Sequence, residues 1–128
     1  MKPDQPNPFA PRPGLKVFLD GQIVPVEQAK VSVFDHGLLY GDGVFEGMRS
    51  YGGRVFRLGA HLSRLESSAR AIRLDLPMSA SELTAATYDA LKANNVIDGY
   101  IRLVVTRGVG YLGLSPLPTA RPSVFIIP

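Results

Sequence analysis

Arg64, Arg102 and Tyr100 are the residues of this sequence whose types and spacing could do chemistry on an anion. Leu58, Leu62, Leu65, Ala69 and Ile72 recur at intervals of four and three and predict a helix with one narrow apolar stripe. At roughly 100° of rotation per residue, Arg64 falls on the flank of that stripe. His61, Ser68 and Arg57 share the flank, whereas Glu66, Arg70 and Arg73 fall on the other side or face solvent. An arginine beside small polar neighbours at the edge of a core can reach a bound anion. The commoner arrangement for such a residue is a stem laid on the core with its head in water. In the strand GYIRLVV, alternation puts Tyr100, Arg102 and Val104 on one face and Ile101, Leu103 and Val105 on the other. An arginine in the middle of so apolar a strand faces solvent, an acidic partner or a bound carboxylate. Tyr100 beside it makes an amphipathic wall of the kind that lines ligand pockets.

Other patterns are less pointed. Tyr40-Gly41-Asp42-Gly43 precedes a strand rather than a helix, so it offers no helix N-terminus to a phosphate and reads as a tight turn. Gly108, Gly110 and Gly113 mark an irregular loop whose tip residues Val109, Tyr111, Leu112 and Leu114 are apolar. Such a tip inserts into its own core or into a partner. No Ser-His-Asp, HExxH or paired-carboxylate arrangement stands out, and no residue is singled out as catalytic.

The elements that position these residues can be read in order. Residues 1–14 hold five of the eleven prolines and read as an extended arm, with a single domain over 15–128. LKVFLDGQIVPV predicts two strands around Asp20-Gly21, and VFEGMRSY and RVFRL predict a second hairpin around Gly52-Gly53. The helix of Arg64 follows and stops at Pro77. Ser79-Ala80-Ser81-Glu82 is a capping-box pattern that opens a second helix, closed by Asn94-Asn95. YIRLVV and SVFII are two further strands. The order predicts an α/β (α+β) domain, an antiparallel-rich sheet with two helices packed on one side. Ending on the apolar strand SVFIIP reads as a cut, with a buried terminal strand as the alternative.

Composition narrows the function classes. With 128 residues, 45% hydrophobic and 20% charged, the chain is an ordinary globular domain and not a disordered one. The absence of cysteine excludes disulfides, thiolate metal sites and cysteine nucleophiles, and His36 and His61 are too few for a histidine metal cluster. No apolar run approaches the roughly 18 residues of a membrane span, and no signal-peptide pattern is recognisable. A net charge of +3 spread over ten arginines and four lysines, with no basic run, gives no nucleic-acid footprint. The excess of arginine over lysine instead suits bidentate capture of carboxylate or phosphate.

HGLLYGDGVFEGMRSYGGRVFRLGAHLSRL, followed by YIRLVVTRG, resembles the N-terminal domain of class IV (fold type IV) pyridoxal-phosphate aminotransferases, over Lys16 to Pro128. FEGMR and YIR resemble the branched-chain amino-acid branch more closely than its relatives. The resemblance implies a small α/β domain with an antiparallel sheet and two helices. It implies that Arg64 binds the phosphate of pyridoxal 5'-phosphate. It further implies that Tyr40, Phe45, Tyr100, Arg102 and Leu114 belong to the substrate pocket, Tyr40 and Leu114 reaching the neighbouring subunit of a cytoplasmic homodimer. The implied substrates are an apolar amino acid and a 2-oxo acid. D-amino-acid aminotransferases and aminodeoxychorismate lyases share YGDG-F, HxxRL and TRG and stand as alternatives, as does a non-enzymatic binding or assembly domain. Tyr111 departs from the acidic residue common at its position. In the family the lysine that carries the cofactor lies in a C-terminal domain, and Lys2, Lys16, Lys30 and Lys92 match nothing catalytic in the pattern. The chain on its own is therefore expected to be inactive.

Overall fold

The computed structural model describes residue 7, residues 10–115 and residues 121–128, so most of the expected arm over 1–14 lies outside the described residues. Six strands form one sheet: β1 Lys16–Leu19, β2 Gln22–Pro25, β3 Gly43–Tyr51, β4 Arg54–Val55, β5 Gly99–Thr106 and β6 Ser123–Ile127. Their spatial order is β2-β1-β6-β5-β3-β4, and every neighbouring pair is antiparallel. Asp20 (φ 46°) and Gly21 (φ 96°) take the left-handed conformations that a tight β1–β2 turn demands. The second expected hairpin is shorter than its sequence suggested. β4 stops at Val55, and Arg57 at φ 52° turns the chain into a helix.

Three α-helices accompany the sheet among the described residues: α1 His36–Tyr40, α2 Leu58–Ala71 and α3 Ala80–Ala93. The Ser79 capping box forms as its spacing requires. Ser79 Oγ accepts from the Glu82 amide at 3.2 Å, and the Glu82 carboxylate accepts from the Ser79 amide at 2.7 Å. Both long helices lie on one sheet face, α2 against β3 and α3 against β1 and β6. Leu62, Leu65 and Ala69 of α2 and Leu83, Ala86 and Ala90 of α3 meet Met48, Ile101, Leu103, Val105 and Ile126 of the strands there. Each fully buried Leu or Ile in that layer contributes roughly 1.5–3 kcal/mol. The opposite face, bearing Phe45, Tyr100, Arg102, Val104 and Phe125, has no helix over it among the described residues.

The segment read as a glycine-rich turn contains α1, five residues too short to show a period. Asp35 caps it, its Oδ1 accepting from the Gly37 amide at 2.7 Å. Asp35 Oδ2 accepts from Thr106 Oγ1 at 2.9 Å, tying the helix to the end of β5. Gly41 then turns the chain into β3 at φ 65°.

A carboxylate-anchored arginine and an open sheet face

The expected site residues fall into three groups on three surfaces. Arg64 stands on the exposed flank of α2, and its guanidinium is not free. Nε and Nη2 donate to the two oxygens of Glu46 at 2.8 and 2.7 Å. Glu46 is 4% exposed, on the helix-covered face of β3, where Val44 and Met48 flank it. His61, one turn before Arg64, places Nδ1 2.7 Å from Glu46 Oε2. The Arg64 hydrogen bonds hold the Glu46 carboxyl below the usual carboxylate range, with His61 adding to the effect and burial opposing it. The same pairing holds Arg64 above its ordinary value. The Glu46 partnership was missed in the sequence, although alternation in VFEGMRS places a charged residue on the apolar face of its strand.

Phe45, Tyr100 and Arg102 come together on the open sheet face. Phe45 pairs with Val104, and Gly47 pairs with Arg102, across β3 and β5. The Arg102 guanidinium lies 4.6 Å from the Phe45 ring centroid and 5.5 Å from that of Tyr100, within cation–π range of both. It forms no ion pair among the described residues and is available to a carboxylate. The Tyr100 side chain lies directly over Gly47, where a Cβ would meet its hydroxyl at 2.5 Å, so a larger residue there displaces the tyrosine ring.

Tyr40 and Leu114 belong to a third group at the end of the sheet. The Tyr40 hydroxyl donates to the Leu112 carbonyl, and its ring meets His36 edge-on at 4.9 Å. His36 Nε2 lies 2.7 Å from the Tyr111 carbonyl, so Nε2 carries the proton. These bonds fix the loop backbone to α1 while Tyr111, Leu112 and Leu114 remain exposed, Leu114 at 81%. The apolar tip therefore does not enter the domain's own core. Arg64 is not brought together with Phe45 and Arg102: Glu46 and Phe45 are consecutive in β3 and face opposite sides.

Residues 43–128 match the family described as amino-transferase class IV. The chain belongs to that family. Class IV aminotransferases use pyridoxal phosphate, and the sheet with its helical layer is that of the N-terminal domain of fold type IV aminotransferases. A Methanocaldococcus jannaschii protein assigned by name to the branched-chain-amino-acid aminotransferases is 52% identical over 113 residues, 88% of this chain and 39% of that protein. D-alanine aminotransferase of Staphylococcus haemolyticus is 38% identical over 85% of this chain and 39% of its own length. The branched-chain aminotransferase of the thermophilic archaeon Thermoproteus uzoniensis, in a crystal structure with norvaline, superimposes with a TM-score of 0.79 at 42% identity. That match covers 88% of this chain and 39% of that one. The chain thus spans about two-fifths of the length of the relatives it matches.

The residues fit the phosphate end of the cofactor. Glu46 occupies the side fork of the Arg64 guanidinium, which leaves the Nη1 end without a hydrogen bond among the described residues, on a side chain 66% exposed. The covalent end has no candidate among the described residues. Lys16 starts β1, Lys30 follows β2 in the chain and Lys92 lies in the last turn of α3, and none bonds to a site residue among the described residues. Lys2 lies outside the described residues.

Proposed function

We propose that this chain supplies the phosphate anchor and one substrate wall of a pyridoxal-phosphate aminotransferase acting on branched-chain or other apolar amino acids. The observation that carries this reading is Arg64, held by a buried carboxylate with its outer edge directed away from the core. The bound cofactor acts as an electron sink, so that an amino group passes from an amino acid to a 2-oxo acid. Arg64 takes the phosphate through charge-assisted hydrogen bonds. Arg102 receives a substrate carboxylate, and Phe45 and Tyr100 exclude water beside an apolar side chain. Tyr40 and Leu114 complete the pocket of a second subunit in a homodimer, where their exposed apolar surface is covered.

The branched-chain relatives favour an L-amino-acid donor, and the D-alanine aminotransferase likeness is the competing assignment. Amino transfer to 2-oxoglutarate by the full-length protein decides between them. L-leucine, L-isoleucine and L-valine are expected to serve as donors well ahead of D-alanine. Preference for D-alanine would overturn the substrate assignment and leave the phosphate anchor standing.

A further inference from the structure

We propose that Glu46 is the positioning residue that aims Arg64 at a phosphate, acting through the guanidinium and never touching the anion. The proposal rests on the reading of Arg64 as the phosphate anchor. A guanidinium presents two usable edges, the side fork of Nε with Nη2 and the outer edge of Nη1 with Nη2. Glu46 takes the side fork with both oxygens, at 2.8 and 2.7 Å. A long arginine side chain on a helix surface samples many rotamers, and ordering it on an anion carries an entropic cost. Glu46 removes much of that freedom before any anion arrives. Its own position is set by β3, whose ladder to β5 runs from Gly43 to Ser50, and by the core packing of Val44 and Met48 on the same face. The arginine is thereby referenced to the sheet rather than to its own helix.

His61 holds the carboxylate from another side. An ionised carboxylate only accepts, so the 2.7 Å contact from Glu46 Oε2 requires a proton on His61 Nδ1. The 3.3 Å approach of Arg64 Nη2 to that nitrogen is then a meeting of two donors on one oxygen, not a hydrogen bond between them. Glu46 and Arg64 together carry no net charge. Simple electrostatics therefore predicts that neutralising Glu46 attracts an anion more strongly, whereas positioning predicts that it binds less well. The two accounts differ in sign.

Inorganic phosphate is the probe, titrated by calorimetry into the full-length protein without added cofactor, alongside Glu46→Gln, Arg64→Ala and Arg70→Ala. The expected result is a dissociation constant raised at least fivefold by Glu46→Gln and at least tenfold by Arg64→Ala, with Arg70→Ala unchanged. Nitrogen NMR of the arginine side chains supplies a readout that a general loss of stability does not mimic. The Arg64 Nε–H signal exchanges slowly with water in the unsubstituted protein and rapidly in Glu46→Gln. In the unsubstituted protein, saturating phosphate moves that signal while leaving it slow to exchange, because Arg64 keeps Glu46 as it binds. Collapse of the signal to the free-arginine position would overturn the proposal whether or not Glu46→Gln folds. Unchanged or tighter phosphate binding by Glu46→Gln, with Arg64→Ala weakened, overturns the positioning role alone. Unchanged binding by Arg64→Ala overturns the anchor reading and this proposal with it.

Discussion

Glu46 decides what Arg64 can do, and it also ties that arginine to pH. The folded protein holds the Glu46 carboxyl below its ordinary value, chiefly through Arg64. A lowered folded value means stability that is complete above the unfolded value, about 4.3 for glutamate, and lost as pH falls through the folded value beneath it. Denaturant titrations between pH 7 and pH 3 should therefore show stability falling at the acid end, and Glu46→Gln should flatten that fall. Glu82, lowered by the Ser79 amide, adds a loss of the same sign that persists in Glu46→Gln. An equal acid slope in both proteins would mean that the Arg64–Glu46 pair adds nothing to the fold. The sequence shows each partner as an oddity, Glu46 on an apolar strand face and Arg64 on a helix flank. It does not show that they meet, because the placement of α2 over β3 is a long-range packing outcome. The structure also separates the two arginines of the opposite flank. Arg73 lies beyond the end of α2 at φ 54°, whereas Arg70 stays on the helix, paired with Glu66 at 2.6 Å.

Elements with strong local signals formed where the residues indicated. The Ser79 capping box, the stripe from Leu58 to Ala69, the Asp20-Gly21 turn and the strands of Tyr100 and Phe125 all depend on neighbours within a few residues. α1 escaped because its determinants are distant: Asp35 is bonded to Thr106, and the His36 amide donates to the Gly108 carbonyl at 2.9 Å. Ser79→Ala should cost about 1 kcal/mol of stability by denaturant unfolding, the usual worth of an N-cap. No change would mean that α3 is held by packing alone. Arg107 joins more elements. It donates to both Asp42 oxygens at 2.7 and 3.0 Å and to the carbonyls of Ile72 and Arg73 at the end of α2. With only 11% of its side chain exposed, Arg107→Ala leaves an ion and two carbonyls unpartnered. The expected loss is about 2–3 kcal/mol, or a melting temperature lower by about 10 °C. A melting temperature within a degree or two of the parent would show that water replaces these bonds without cost.

Among the described residues the molecule is one sheet with its two long helices on a single side, and that arrangement accounts for what it leaves exposed. Phe45, Tyr51 and Tyr100 on the open face, and Val109, Tyr111, Leu112 and Leu114 at its end, form apolar surface that isolated domains seldom keep in water. The 128-residue chain should therefore self-associate as its concentration rises in sedimentation runs, and a single monomeric species at every concentration would contradict that. The open face was foreseeable from the alternation of YIRLVV, but what lies against it was not, since a strand pattern gives a face and not its partner. The central proposal is a division of labour, in which the residues of this chain serve as a phosphate anchor and a substrate wall and none of its own lysines carries the cofactor. Incubating the 128-residue chain with pyridoxal phosphate, reducing with borohydride and mapping the peptides by mass tests the claim most directly. The expected result is no lysine modified stoichiometrically and no amino transfer. A stoichiometric adduct at one of Lys2, Lys16, Lys30 or Lys92, accompanied by turnover, would contradict it.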